Sequence, residues 1–170
     1  MSRRDWLVLG VLGALYVAGI PVLMLCLARQ WPEEFLPPAS GFVTWFGSFC
    51  SALGLFYAGW AVAAMHRYGH GGPAVIGPLQ LTTPTRRLVT QGPYAVCRNP
   101  LHTGMILYSL GAWISINNLA ALLVPLGVVI FAVAVVLLSD EPRLRREFGA
   151  EYEAWAAVVP RFFPRMTRPR

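Results

Sequence analysis

Apolar residues in this chain come in long uninterrupted blocks, not at the period of a half-buried helix or strand. The first block runs from Trp6 to Ala28 without a charged residue. As a helix it reaches roughly 34 Å, enough to cross a hydrocarbon core of about 30 Å. The second runs from Phe42 to Met65 and is also uncharged. A third, Leu101 to Ile116, is shorter and needs extension by its neighbours or cover by protein. Asn117-Asn118 then makes a tight polar turn, and Leu119 to Leu138 returns with Pro125 inside it. Pro21 is expected to kink the first block. Lipid offers the backbone no hydrogen bonds, so each block is expected to be helical. The expected fold is all-α: a polytopic membrane protein with about four transmembrane helices and a C-terminal amphipathic cytosolic helix. Residues 1–65 supply two N-terminal spans. Residues 66–170 supply the core, made of a polar loop, a transmembrane hairpin and the amphipathic helix, all within one structural domain.

The polar residues collect in two stretches. His66–Gly104 is rich in Gly, Pro and Thr and cannot be one helix. It is longer than an ordinary connection, and ordered loops of that length are usually functional. Leu79, Leu81, Leu88 and Val89 are apolar groups that call for burial, which argues for order. Gly92-Pro93 reads as a turn. Pro100 holds Asn99 away from helical geometry and starts the third span. The open amides at that helix start, beside Arg98, suit an anion. In Ser139–Pro164, Ser139 or Asp140 can cap a helix and Pro142 fits its first turn. Leu144, Phe148, Tyr152 and Trp155 share one face of it. Such a helix lies on the membrane surface or covers the inner ends of the spans. Most of its Arg and Glu residues read as a solvated outer face. Asp140 and Glu141 differ, because they sit where the fourth span leaves the bilayer and need cationic partners. Within the second span, Ser48 with Ala52 and Gly54 with Ala58 have close-packing spacing.

Only 13% of the 170 residues are charged and 56% are hydrophobic, against about 25% charged in soluble domains. The net charge of +6 comes from arginine alone, with no lysine. If the amino terminus is cytosolic, only Arg29 of the 14 arginines lies on the far side, a strong positive-inside bias that places both termini in the cytosol. The far-side connection Gln30–Ser40, with Glu33 and Glu34, is expected to form a short cap. Topology therefore accounts for the basic charge, and a nucleic-acid partner is not expected. The arginine-only composition is usual in GC-rich bacterial genomes, so a bacterial inner membrane is the expected location. Cys26, Cys50 and Cys97 are odd in number and scattered, which argues against a disulfide framework or a metal site. No span carries an ionised residue, which argues against an ion-coupled transporter.

Gly92-Pro93-Tyr94, then Arg98-Asn99-Pro100, then Gly104 resembles the GPYxxxRHP/RNPxYxG signature of the isoprenylcysteine carboxyl methyltransferase and phospholipid methyltransferase superfamily. Asp140-Glu141-Pro142, Leu144, Phe148-Gly149, Glu151-Tyr152 and Val159-Pro160-Arg161 resemble its EEPxLxxxFGxEYxxY…VPR ending. The resemblance covers about residues 69–164. It implies a membrane enzyme that takes S-adenosylmethionine from the cytosol and a lipid-like or hydrophobic acceptor from the bilayer. The acceptor classes it leaves open are an isoprenylcysteine-type carboxylate, a phospholipid amine and a small thiol. By the same resemblance, Tyr94, Arg98, Asn99, Pro100 and His102 hold the cofactor's carboxylate or adjacent polar groups. Glu141 with Asp140 meets its ammonium or ribose hydroxyls. Gly71 and Gly72 let backbone approach it, and Leu88 and Val89 pack on adenine. His102 or Glu141 would assist an acceptor that must lose a proton, and Arg161 would contact the acceptor or the membrane surface. His102 stands where the family usually has Tyr, and Asp140 replaces the first Glu of the acidic pair. Two other readings are an NADPH-dependent membrane reductase of the sterol-reductase type and a non-catalytic membrane scaffold.

Overall fold

The computed structural model describes residues 2–32, 41–76 and 79–163. Most of the far-side connection, with Glu33 and Glu34, lies outside the described residues, as do Arg165, Arg168 and Arg170. The chain is built of α1 (Arg3–Gln30), α2 (Gly41–Ala64), α3 (Pro100–Ile116), α4 (Leu123–Val135) and α5 (Glu141–Val158). A short antiparallel hairpin of β1 (Val75–Ile76) and β2 (Leu79–Gln80) interrupts the polar loop. The segments Arg3–Gln30, Gly41–Gly69 and Ala120–Val158 are long and apolar enough to cross a membrane. With 17 residues, α3 reaches only roughly 25 Å. It is covered by protein instead: Thr103, Gly104, Ile106, Tyr108, Ser109, Gly111 and Ala112 are all buried.

The α2–α3 contact depends on four glycines. A Cβ at Gly47 would lie 2.6 Å from the Gly111 carbonyl oxygen, and one at Gly104 would lie 2.6 Å from that of Gly54. On each helix the two glycines stand seven residues apart, the repeat that keeps one seam facing one partner. The expected pair Gly54 and Ala58 lies in the seam, whereas Ser48 and Ala52 are exposed and their places are taken by Gly47 and Ser51, one residue earlier. Small residues stand at four-residue spacing on overlapping faces of α2, and only the face carrying the heptad glycines lets the backbones touch. Hydroxyls then bridge helices: Ser51 Oγ donates to the Tyr108 carbonyl (3.2 Å), Tyr108 to that of Val17 (2.6 Å), and Tyr16 to that of Met105 (2.8 Å). Such bonds hold helices together where burial from water cannot. At the far end, Asn117 adopts φ 53°, as a tight turn requires, and Asn118 Nδ2 donates to the Trp31 carbonyl at 2.7 Å.

The polar end departs from expectation. No cap separates α4 from α5: Asp140 has helical dihedrals (φ −69°, ψ −52°) and makes no side-chain cap bond. A π-helical turn, Val136–Asp140, carries the chain directly into α5. Pro142 has no N–H to donate, and the wider turn reaches past the missing donor. The amphipathic helix forms, but it bends at Gly149 (φ 50°, ψ −122°). Of the two placements its sequence allowed, it takes the second. Tyr152 and Trp155 pack with Ala61, Ala64, Val89 and Tyr94, supported by Leu88, Leu144 and Phe148, over the ends of the spans that carry the polar stretches. Leu79 is 54% exposed, so the loop's order rests on Leu88 and Val89 and not on the hairpin.

Candidate functional site

The C-terminal run Val159–Phe162 lies along the start of α3. The Arg98 amide donates to the Pro160 carbonyl (2.9 Å), and the Asn99 amide to that of Arg161 (3.1 Å). Asn99 Nδ2 adds a bond to the Arg161 carbonyl (2.9 Å), and Thr103 Oγ1 donates to that of Phe162 (2.9 Å). The amides of Arg98 and Asn99, just ahead of α3, are therefore satisfied within the chain. Cys97 Sγ also donates to the Phe162 carbonyl (2.7 Å), and burial raises its thiol above the usual range.

Glu141 ties three segments together. Arg161 donates to it through Nε (2.6 Å) and Nη2 (3.1 Å), and Arg98 Nη1 stands 3.2 Å from Oε1. Arg98 Nη1 also donates to the Tyr152 hydroxyl at 3.1 Å. The hydrogen bond to Glu141 is the main cause that raises the Arg161 guanidinium above its ordinary value. The two polar stretches of the sequence thus meet at one buried carboxylate. Both of its oxygens are engaged by arginine, and neither Glu141 nor Arg161 is among the residues lining the two cavities beside it.

Two cavities meet beside this tie. The polar cleft, of about 50 Å³, is bordered by Leu88, Val89, Tyr94, Arg98, Asn99, His102, Asp140, Arg143 and Trp155. The apolar chamber, of about 560 Å³, lies among α1, α2, α3 and α4. Ligand sites usually fall at about 300–1,000 Å³, which the chamber meets and the cleft as it stands does not. Pro73, Leu101, His102 and Asp140 border both. His102 and Asp140 are therefore the ionisable side chains at the joint.

Inside the polar cleft, Arg98 Nε and Arg143 Nε and Nη1 are buried with no hydrogen-bond partner among the described residues. Arg143 pairs only loosely with Asp140, at 3.9 Å. Unpaired buried donors are costly, so this edge suits an acceptor such as a carboxylate. Arg143 reads in the sequence as part of a solvated face, yet its side chain is only 13% exposed. The π turn sets its direction, and no local sequence pattern announced that turn.

Three further residues differ from expectation. A Cβ at Gly71 would stand 2.5 Å from the Pro84 carbonyl oxygen, and one at Gly72 2.8 Å from Thr82 Oγ1. Both glycines serve the loop's packing on itself, and neither borders the polar cleft or the apolar chamber. Pro100 is fully buried at the first turn of α3 and also lies outside both linings. Asp5, in contrast, is not among the candidate residues of the sequence, yet it joins two distant segments. It closes a capping box with Ser2, and its carboxylate accepts from the Thr83 amide (3.2 Å) and hydroxyl (2.9 Å). The Ser-x-x-Asp spacing at the start of α1 was a readable signal for the cap. Its bond to a loop nearly eighty residues away was not.

The sequence profile of the phospholipid methyltransferase family matches residues 42–151, more than half of the chain. Over 82 residues the chain is 35% identical to the nickel-cobalt-cadmium resistance protein NccN of Alcaligenes xylosoxydans xylosoxydans, covering 47% of this chain and 37% of that protein. Over 84 residues it is 30% identical to protein-S-isoprenylcysteine O-methyltransferase B of Arabidopsis thaliana, covering 46% and 40%. The cobalt-zinc-cadmium resistance protein CzcN of Cupriavidus metallidurans is 32% identical over 80 residues, covering 47% and 37%. These alignments span less than half the length of each relative. No solved structure matches the chain. With a profile match that spans the helical hairpin, Arg98 and Glu141, the chain belongs to the phospholipid methyltransferase family, in the superfamily that includes the isoprenylcysteine methyltransferases.

Proposed function

We propose that this chain is an integral membrane methyltransferase that moves a methyl group from S-adenosylmethionine to a lipid-like or hydrophobic acceptor at the cytosolic face. One observation carries the reading: in a member of this family, a polar cleft and an apolar chamber share His102 and Asp140. A polar donor and an apolar acceptor can meet only where two such spaces touch. Alignment at such a joint is itself a large part of catalysis, with effective molarities of about 10⁵–10⁸ M in well-oriented systems. The arginine distribution supports the cytosolic placement of this end.

The cleft's residues fit the cofactor's chemistry. The open N–H groups of Arg98 and Arg143 suit its carboxylate. Leu88, Val89 and Trp155 offer apolar surface for a flat base. When bound, the sulfonium supplies an activated methyl group. The chain's own part is to hold the polar groups, exclude water and manage a proton at the joint. In this reading Glu141 and Arg161 are positioning residues: they hold Arg98 in place through the ion pair and do not touch the ligand. Asp140 and His102 are the side chains that touch the acceptor.

Thermal-shift measurements on detergent-solubilised protein test the reading. S-adenosylmethionine is expected to raise the unfolding temperature, and Arg143→Ala to weaken that rise. Stabilisation by NADPH and not by S-adenosylmethionine would replace the proposal with a reductase. No response to either would leave a scaffold.

A further inference from the structure

Resting on the methyltransferase reading, we propose that Tyr16 limits the length of the acceptor's apolar tail. With Met105 and Phe131 it floors the apolar chamber partway across the membrane. A second apolar space, of about 400 Å³, lies beyond that floor, bordered by Ile20, Leu23, Leu27, Leu123 and Gly127. Tyr16, Met105 and Phe131 border both spaces and so form the partition between them.

Three helices change sides at this one level. On α1, Leu9 and Gly13 line the chamber, Tyr16 lines both spaces, and Leu23 and Leu27 line only the second. On α3 the handover falls at Met105, and on α4 at Phe131, between Val135 of the chamber and Val128 of the second space. The partition is also braced. The Tyr16 hydroxyl donates to the Met105 carbonyl at 2.8 Å, which ties α1 to α3 across the boundary. Its ring leans on that of Tyr108, with centroids 5.6 Å apart, and Tyr108 donates to the Val17 carbonyl at 2.6 Å. A ring held through its hydroxyl and against a second ring cannot swing aside without giving up that bond, which has no replacement in an apolar surround.

The level of the partition sets the length. Trp6, which meets His66 at the polar end of the chamber, stands ten residues before Tyr16, roughly 15 Å along the helix. That is about half of a hydrocarbon core of about 30 Å. An extended chain advances about 1.2 Å per bond, as a backbone does over three bonds per residue, so this depth takes about a dozen carbons. A longer tail must double back or leave between α1 and α2, where Gly10, Gly13 and Gly59 have nothing within 4 Å of where a Cβ would stand. Outside, its extra methylenes touch lipid as apolar as the walls and gain nothing. Without the Tyr16 ring they would run on into the second space.

The test needs no methyl donor. The full chain, in a steroid-based detergent without straight alkyl tails, is incubated with equimolar octanol, dodecanol and hexadecanol. Alcohol retained through gel filtration is measured by mass spectrometry, and the micellar share is subtracted with Gly59→Leu, which fills the chamber. Four methylenes that find wall contacts are worth about a threefold gain. Wild-type protein is therefore expected to retain dodecanol about threefold above octanol, and hexadecanol no more than dodecanol. Tyr16→Ala should retain hexadecanol about threefold above dodecanol. If that variant does not fold, Phe131→Ala opens the same partition and should give the same shift. Adding Gly127→Leu, which fills the second space, to Tyr16→Ala should return the wild-type order. Leu23→Ala, which enlarges that space behind an intact partition, should keep it. A wild-type gain from dodecanol to hexadecanol equal to that from octanol to dodecanol would overturn the proposal. So would a folded Tyr16→Ala protein with the wild-type order. Binding of S-adenosylmethionine is measured on the same preparations. Length selection without that binding ends the methyltransferase reading and leaves the Tyr16 limit standing, and binding without length selection does the reverse.

Discussion

Replacing Glu141 by Gln separates a structural tie from a ligand contact. The Glu141 side chain is 9% exposed, Arg98 is 11% exposed, and Arg161 is 46% exposed. Gln keeps the shape but removes the charge that both guanidiniums face. Breaking a buried ion pair by removing one partner costs about 3–5 kcal/mol, because the other charge is left buried. That figure applies to the Arg98 side. The Arg161 side is half in solvent and contributes at most about 1 kcal/mol. The expected loss is about 3 kcal/mol for Glu141→Gln and about 1 kcal/mol for Arg161→Gln. In a chain of this size each kcal/mol moves the midpoint by roughly 2–4 °C. Thermal unfolding in detergent should therefore fall by about 6–12 °C for Glu141→Gln and about 2–4 °C for Arg161→Gln. The double variant should match Glu141→Gln within about 0.5 kcal/mol, since both substitutions break one network. A Glu141→Gln protein that melts within about 2 °C of wild type would show that the ion pairs do not hold the two polar stretches together. The positioning role assigned to Glu141 would then fail.

Other expectations follow from the same geometry. Gly104→Leu forces a side chain into the space where a Cβ already lies 2.6 Å from the Gly54 carbonyl oxygen, and should cost more than about 3 kcal/mol or prevent folding. Gly59→Ala, in open space, should leave the melting temperature within about 2 °C and serves as its control. Asp5→Ala removes the Ser2 amide's partner in the α1 capping box and both bonds to Thr83, and should lower the melting temperature while speeding hydrogen exchange at residues 82–85. Because burial raises the Cys97 thiol, it stays protonated at neutral pH and its thiolate appears only above the usual range. Maleimide labelling of Cys97, followed by mass spectrometry, should be slow in folded protein at pH 7 and rise with alkaline pH or with unfolding.

The apolar blocks announce the helices because lipid tolerates little else, and the structure places them within a few residues of the expected ends. Pro100 at the start of α3, the Asn117 turn and the apolar face of α5 were legible for equally local reasons: a missing N–H, a tolerated positive φ, and helical spacing. What stayed hidden depends on partners far along the chain. Which small residues of α2 form the seam is decided by Gly104 and Gly111 on α3, and nothing within α2 ranks Gly47 above Ser48. The division of labour in the acidic pair is tertiary as well. Adjacent residues on one helix point in different directions, so Glu141 meets two arginines while Asp140 borders both cavities. The amides of Arg98 and Asn99, just ahead of α3, are met by carbonyls of Pro160 and Arg161, some sixty residues away. Local chemistry decides where a chain can be helical and where polar groups collect. Which of those groups are satisfied, and which remain open toward a cavity, is settled only when distant segments close around one another.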